Sequence, residues 1–343
     1  MLNRIGLSLC VSTLLLGGII AGSQQANSAS HAKMTNVTFS LDFIVLGRHS
    51  PWYVALEKGY YKEEGLNVRI VPGKGSAHVM QQVESGAADI GFVDVPSLVL
   101  ARARGATIKM VAINYQKAPY SIFSLDPGAN ITKPKDMEGL TLGSSADSFV
   151  PKIHKAFMRS HGLDPNKLKV TNVIPSARVA ALITKRVPSV DFFVMSKPGI
   201  SRAVKKAKVK TLLLSDHGLK LYSNGIGAKE SYIKANPEVM RKFVRASLRG
   251  WKYALAHPGE AADMQNKHAK ALNRQITIEE LAIVKNLAVT DDTKKHGLGW
   301  FSAAGMKASV AFMVNNTGMD KSKAPKAEDM YDLSFLPKTP VMP

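Results

Sequence analysis

RHSPWYVALEKGYYKEEGLNVRIVPGKGSAHVMQQVESGAADIGFVDVPS, residues 48–97, alternates helix and strand signals and returns each time to a short polar turn. Just upstream, residues 37–46 (VTFSLDFIVL) are β-branched and apolar, which predicts a buried strand ending at Gly47. Ser50-Pro51 then supplies an N-cap with proline at the first helical position. Tyr53, Leu56, Tyr60 and Tyr61 recur at helical spacing, and Gly65 stops the run. Residues 67–71 (NVRIV) predict a second strand, 72–76 (PGKGS) a turn, 77–84 (AHVMQQVE) a second helix closed by Gly86, and 88–93 a third strand. Helices between short strands imply a parallel sheet, with strand ends and helix starts gathered along one edge, where ligands bind.

The pattern returns about 100 residues later. Residues 139–143 are strand-like, 144–148 (SSADS) form a polar turn, and 149–160 a helical run ending at His161-Gly162. Val173-Ile174-Pro175-Ser176 answers Ile70-Val71-Pro72-Gly73, and residues 190–194 answer 88–93 at nearly the same offset. Such a period fits two similar lobes rather than a solenoid.

Residues 1–32 read as an export signal: Arg4 gives the positive start, residues 5–21 the apolar core, and Ser30-His31-Ala32 a small-residue cleavage site. A periplasmic location follows, with an uncleaved anchor as the alternative. Cys10, the chain's one cysteine, lies inside that apolar core, so the mature chain has no thiol for a disulfide, a metal site or a nucleophile. The formal charge is +20; removing residues 1–32 takes one arginine and no acid, leaving +19. This excess is either a solubility device or a field that draws in anionic solutes or an anionic face. An exported chain without a basic block interleaved with aromatics is not expected to bind nucleic acid.

The runs Trp52 to Leu66 (WYVALEKGYYKEEGL) and Glu84 to Phe92 (ESGAADIGF) resemble the solute-binding proteins of ABC importers. More narrowly, they are similar to the NMT1/THI5-like group associated with nitrate, sulfonates and taurine, or thiamine pyrimidines. Asn236-Pro237-Glu238, Ala246 and Gly250-Trp251 extend the resemblance, which covers most of residues 36–260. It implies an α/β, two-lobed periplasmic binding protein fold of type II: a mostly parallel sheet in each lobe and the ligand cleft between them. Lobe 1 would comprise residues 33–116 and 226–343, and the inserted lobe 2 residues 117–225.

Sheet geometry nominates the residues that would touch solute. After the first strand come Arg48 and His49; an arginine grips a carboxylate or sulfonate with two parallel hydrogen bonds. Asp42, within the strand, could bind a ligand amine or satisfy buried backbone. Gly75 and Ser76 lie in the glycine-bearing second turn, and Asp94 and Val95 in the third, where Asp94 is also a candidate N-cap. In the second half, Ser144, Ser145, Asp147 and Ser148 form a candidate anion cradle. Phe193, Met195 and Lys197 follow the later strand, and alternation lets only one of Phe192 and Phe193 face the cleft. Phe43, Trp52 and Tyr53 are stacking candidates. Asn224 falls, with residues 114–116 and 222–225, where the lobes should be joined.

Basic and aromatic candidates coexist, which favours a small organic anion over nitrate; a thiamine-precursor pyrimidine or similar heterocycle is the alternative. The expected partners are that solute and a membrane permease, the protein acting as a monomer by lobe closure. No cofactor or metal is expected, and no catalysis. The pyrimidine synthases of the wider superfamily use a cysteine-rich iron site, and here the cysteine is in the export segment. No H-E-x-x-H or G-x-S-x-G motif is present. A ligand-presenting sensor of the same fold stays open.

Overall fold

The computed structural model describes residues 34–145 and 148–343. The expected export segment and Asp147 of the candidate cradle lie outside the described residues.

Residues 34–113 supply four strands, β1 (Thr35–Ser40), β2 (Leu66–Val71), β3 (Ile90–Asp94) and β4 (Ile108–Ile113). The chain then builds β5 (Tyr120–Asp126), β6 (Thr141–Ser144), β7 (Lys169–Asn172), β8 (Ser189–Phe193) and β9 (Lys208–Leu213) before returning as β10 (Asn224–Lys229). Two five-stranded sheets result, in the orders β2-β1-β3-β10-β4 and β7-β6-β8-β5-β9. In the first sheet β1 pairs in parallel with β2 and β3, and in the second β6 pairs in parallel with β7 and β8. The fourth place in each sheet is taken by an antiparallel strand, β10 or β5. These are the strands next to the two chain crossings, so each sheet is mixed rather than wholly parallel. The echo read from sequence now has a spatial meaning: β2 and β7 hold the same edge position, and β3 and β8 the same central one.

Where the crossings meet, they bond to one another. Asn114 and Tyr115 donate their backbone N–H groups to the Asn224 carbonyl, and Ser223 donates to the Tyr115 carbonyl. Gly225 allows this closeness, since a Cβ there would lie 2.0 Å from the Ala112 carbonyl oxygen.

Local chemistry explains where elements depart from the sequence reading. The first strand stops at Ser40, because the carbonyls of Asp42 and Phe43 accept from Gly75 and Gly73 (2.8 and 3.1 Å) instead of continuing a ladder. Ser50 is the first residue of the helix Ser50–Glu57, and His49 is its N-cap. Gly59, at φ +75°, breaks the run before a short second helix, Tyr60–Glu63.

The core around the first sheet is aromatic. Trp52 and Trp251 meet edge to face at 5.5 Å, with Phe39 4.6 Å and Phe92 5.1 Å from Trp52. Such pairs add to burial through their quadrupoles. Gly250 lets the helix Pro237–Ala256 approach the backbone of Pro51 and Ala55. The C-terminal residues run along β4, where Asp332 N–H donates to the Met110 carbonyl, and Met330 and Phe335 are buried. Among the described residues no helix is long and apolar enough to cross a membrane.

Candidate functional site

The turns that end β1, β2, β3, β6 and β8 enclose a narrow cleft with about 680 Å³ of empty space, its open mouth included. Leu46, Phe43, Phe149, Val150, Phe192 and Phe193 supply its apolar wall. Asp42, Arg48, Lys74, Asp94, Arg178 and Asp191 supply its charge, and Gly75, Ser76, Ala77, Ser97, Ser145, Ser148 and Ser196 complete the lining.

The charges are arranged as two buried pairs, one on each sheet. On the first, Arg48 donates through Nη1 and Nη2 to the two oxygens of Asp42, both at 3.0 Å. His49 Nε2 lies 2.8 Å from Asp42 Oδ1, and Asn224 Nδ2 donates to Oδ2 at 3.2 Å. The histidine tautomer follows from its other nitrogen. Leu46 N–H donates to Nδ1, so Nδ1 is the acceptor and Nε2 carries the proton. Burial, reinforced by the Arg48 charge, pushes the imidazole down to about 4, so it is neutral at physiological pH. Burial alone would raise the Asp42 carboxyl, but Arg48 and the His49 hydrogen bond outweigh it and hold it below its ordinary value. The Arg48 guanidinium also lies 5.2 Å from the Phe193 ring of the other sheet.

The second pair is looser. Arg178 gives its Nε to the Val173 carbonyl (3.2 Å), Nη1 to the backbone carbonyl of Asp191 (2.9 Å) and Nη2 to Ser145 Oγ (2.6 Å). Asp191 Oδ2 accepts from Ser144 Oγ at 2.7 Å. Its Oδ1 is 2.8 Å from Arg178 Nη1, an ion-pair contact, yet among the described residues no hydrogen-bond donor is aligned with it. Burial therefore wins here: it raises the Asp191 carboxyl against the Arg178 charge, the reverse of Asp42. Phe192 lies 5.5 Å from the Arg178 guanidinium.

Asp94 caps the helix Val95–Arg102 by accepting from Ser97 N–H (2.8 Å) and Oγ (2.7 Å), and it also accepts from Tyr120 OH at 3.0 Å. Three acids, Asp42, Asp94 and Asp191, thus face three bases, Arg48, Lys74 and Arg178. The described lining carries no net charge.

Of the residues nominated from sequence, Asp42, Phe43, Arg48, Gly75, Ser76, Asp94, Ser145, Ser148 and Phe193 are brought together around the cleft. Others sit elsewhere. Trp52 is wholly buried in the aromatic core, because its helix turns that face inward. Tyr53 packs on His268. Val95 and Met195 are fully buried in the apolar core. His49, Ser144 and Asn224 stand one layer back, bonded to Asp42 or Asp191. Lys197 is exposed and outside the lining. Phe192 and Phe193 both line the cleft, contrary to simple alternation, since they sit where β8 runs out into its turn.

Arg178, Phe149 and Leu46 were not nominated. The internal echo held a signal for the first: the turn after Val173-Ile174 corresponds to residues 73–77, and Arg178 opens the helix after it.

Glu280 supports the first pair from behind. It accepts from the backbone N–H of Arg48 at 2.8 Å, and burial raises its carboxyl to about 7 against the Arg48 and Gly47 hydrogen bonds and the Arg48 charge.

Known proteins share both sequence and fold with this chain. The family model described as NMT1/THI5 like matches residues 47–261. A riboflavin-binding protein of Chloroflexus aurantiacus is 30% identical over 295 residues, 82% of this chain and 81% of that one. A formylaminopyrimidine-binding protein of Halalkalibacterium halodurans is 26% identical, over 80% of this chain and 84% of that one. A 4-amino-5-hydroxymethyl-2-methylpyrimidine phosphate synthase of Candida albicans matches at 24%, over 66% and 69%. Among solved structures, the alkanesulfonate-binding protein of Xanthomonas axonopodis pv. citri, bound to MOPS, superposes with a TM-score of 0.68. It is 13% identical and covers 86% of this chain and 96% of that one, a likeness of fold. With the two-lobed α/β architecture in place and the family model covering well over half its length, the chain belongs to the NMT1/THI5 like family.

Proposed function

We propose that this protein captures a small, flat, uncharged nitrogen heterocycle between its two sheets, outside the cytoplasm, and presents it to the membrane permease of an ABC importer. The observation that carries the ligand class is the internal neutralisation of the cleft. Arg48 has its two terminal nitrogens on Asp42, and Arg178 is ringed by two carbonyls and a hydroxyl beside Asp191. An oxyanion entering here would meet Asp94 and Asp191 with both guanidiniums already ion-paired to aspartates, a desolvation cost that a neutral ring does not carry. Four phenylalanines in the lining suit the faces of such a ring.

The organic anion favoured by composition is thereby the weaker reading for the ring-binding part of the cleft. Lys74 keeps a place for it: exposed in the lining, it has no carboxylate within ion-pair reach among the described residues, and can meet an anionic substituent. The family supports the heterocycle, since two relatives are named for riboflavin and formylaminopyrimidine binding. Capture uses closure: the ring meets one sheet's turns first, and the second set of contacts forms when the other sheet's turns come in.

Calorimetry on the full chain with riboflavin, formylaminopyrimidine, an alkanesulfonate and nitrate tests this. Micromolar or tighter binding of a heterocycle, with the two anions at least 100-fold weaker, is expected. Tight sulfonate or nitrate binding with no heterocycle bound would overturn it, and product formation from a pyrimidine would replace binding with catalysis.

A further inference from the structure

The two buried Arg–Asp pairs differ in one respect that bears on the ligand. Asp42 is saturated: two nitrogens of Arg48, the His49 Nε2–H and the Asn224 amide supply four donors to its two oxygens. Asp191, which faces the same cleft from the other sheet, receives one side-chain hydrogen bond among the described residues, from Ser144 Oγ to Oδ2, besides one from its own backbone N–H. The neighbouring arginine directs three of its five N–H groups to the Val173 and Asp191 carbonyls and to Ser145, and its Nη1 lies 2.8 Å from Oδ1 as an ion pair; among the described residues Oδ1 is buried with no hydrogen-bond donor in line. The residue is 1% exposed and lines the cleft. A buried acceptor left unmade is costly, and a group that completes it on binding recovers that cost.

We propose that Asp191 is the ligand's N–H acceptor: it selects heterocycles that carry a ring lactam or imide N–H, or an exocyclic amine, over their N-alkylated analogues. This rests on the heterocycle reading above. The selectivity comes from an asymmetry. A ligand N–H gives Oδ1 the aligned donor it lacks, whereas an N-alkyl group buries the same oxygen against carbon and leaves it only the Arg178 ion pair, which is how a site built for a hydrogen bond rejects an analogue without one. Asp94 does not take this role, because both of its oxygens already have aligned donors from Ser97 and Tyr120. Ser144 and Arg178 keep the Asp191 carboxylate fixed before the ligand arrives, so little ordering cost is added on binding.

Calorimetry with two matched pairs provides the test: riboflavin against its N3-methyl derivative, and 4-amino-2-methylpyrimidine against its 4-dimethylamino derivative. For the parent that binds, alkylation is expected to weaken affinity at least about tenfold. Asp191→Asn, close to isosteric, is expected to weaken the N–H parent while leaving the alkylated analogue unchanged, which separates loss of the bond from crowding by the methyl group. Equal affinities within a pair, or a variant that lowers both members alike or neither, overturns this inference and leaves the heterocycle reading standing. Failure of both parents to bind overturns that reading and this one with it. Should Asp191→Asn not fold, the N3–H proton of ¹⁵N-labelled riboflavin bound to the unaltered chain decides: protection from solvent exchange is expected, and exchange as fast as in free riboflavin overturns the proposal.

Discussion

Arg48→Ala separates a ligand-gripping arginine from one committed to the fold. Arg48 and Asp42 are 2% and 3% exposed, and they share two 3.0 Å hydrogen bonds. Removing the guanidinium leaves Asp42 charged and buried with only neutral donors, His49 and Asn224. Breaking a buried pair from one side costs about 3–5 kcal/mol, because the abandoned charge keeps its desolvation penalty. At roughly 2–4 °C per kcal/mol for chains of this order of size, the melting midpoint should fall on the order of 10 °C. The carbonyls of Asp42 and Phe43 hold the turn at Gly73 and Gly75, so loss of order at Asp42 reaches the cleft, and affinity for neutral and anionic ligands should decline together. Adding Asp42→Asn removes the orphaned charge, and the double variant should be more stable than the sum of the two single losses predicts. Differential scanning fluorimetry at pH 7.5, followed by calorimetry on the folded fraction, makes both measurements. An Arg48→Ala protein that melts within about a degree of the parent and loses anions alone would refute this reasoning.

Three other perturbations follow from the geometry. His154 is fully buried with neither ring nitrogen bonded among the described residues, and burial lowers it to about 3 from an unfolded value of 6.5. Its folded form resists protonation, so stability present above pH 6.5 is lost as pH falls toward 3. By pH 4.5 the loss is on the order of 3 kcal/mol, and urea titrations of His154→Leu should lack that component. Glu280 has the opposite sign. Its raised folded value of about 7, against 4.5 unfolded, means that stability is lost as pH rises between the two, so Glu280→Gln should gain on the parent by up to about 3 kcal/mol over that interval. Gly73→Ala places a Cβ 2.1 Å from the Leu41 carbonyl oxygen, a backbone atom that cannot step aside. Ligand affinity should drop at least tenfold as the cleft turn is displaced; unchanged affinity in calorimetry would show the turn to be dispensable.

The alternation of residues 48–97 and its echo in 139–197 made the α/β class and the doubled lobe legible, because periodicity and turn residues are local properties. Strand direction at the fourth position of each sheet was not legible. It depends on where the chain crosses, and β5 and β10 have no signature that separates an antiparallel neighbour from a parallel one. The same division runs through the site. Sequence located the turns at Arg48, Gly75, Asp94, Ser145 and Phe193, since strand ends are marked by composition. What it could not assign was the balance of donors: Asp42 and Arg48 both read as ligand contacts because their mutual pairing, across a bend that replaces the expected strand, appears only in three dimensions. That pairing reverses the meaning of the arginine. A guanidinium at a cleft edge argues for an anion when its charge is unpaired, and for a neutral ligand when a buried aspartate already pairs with it. The positive charge of the chain as a whole, +20, therefore says little about the solute, because the described residues that enclose the cleft balance among themselves.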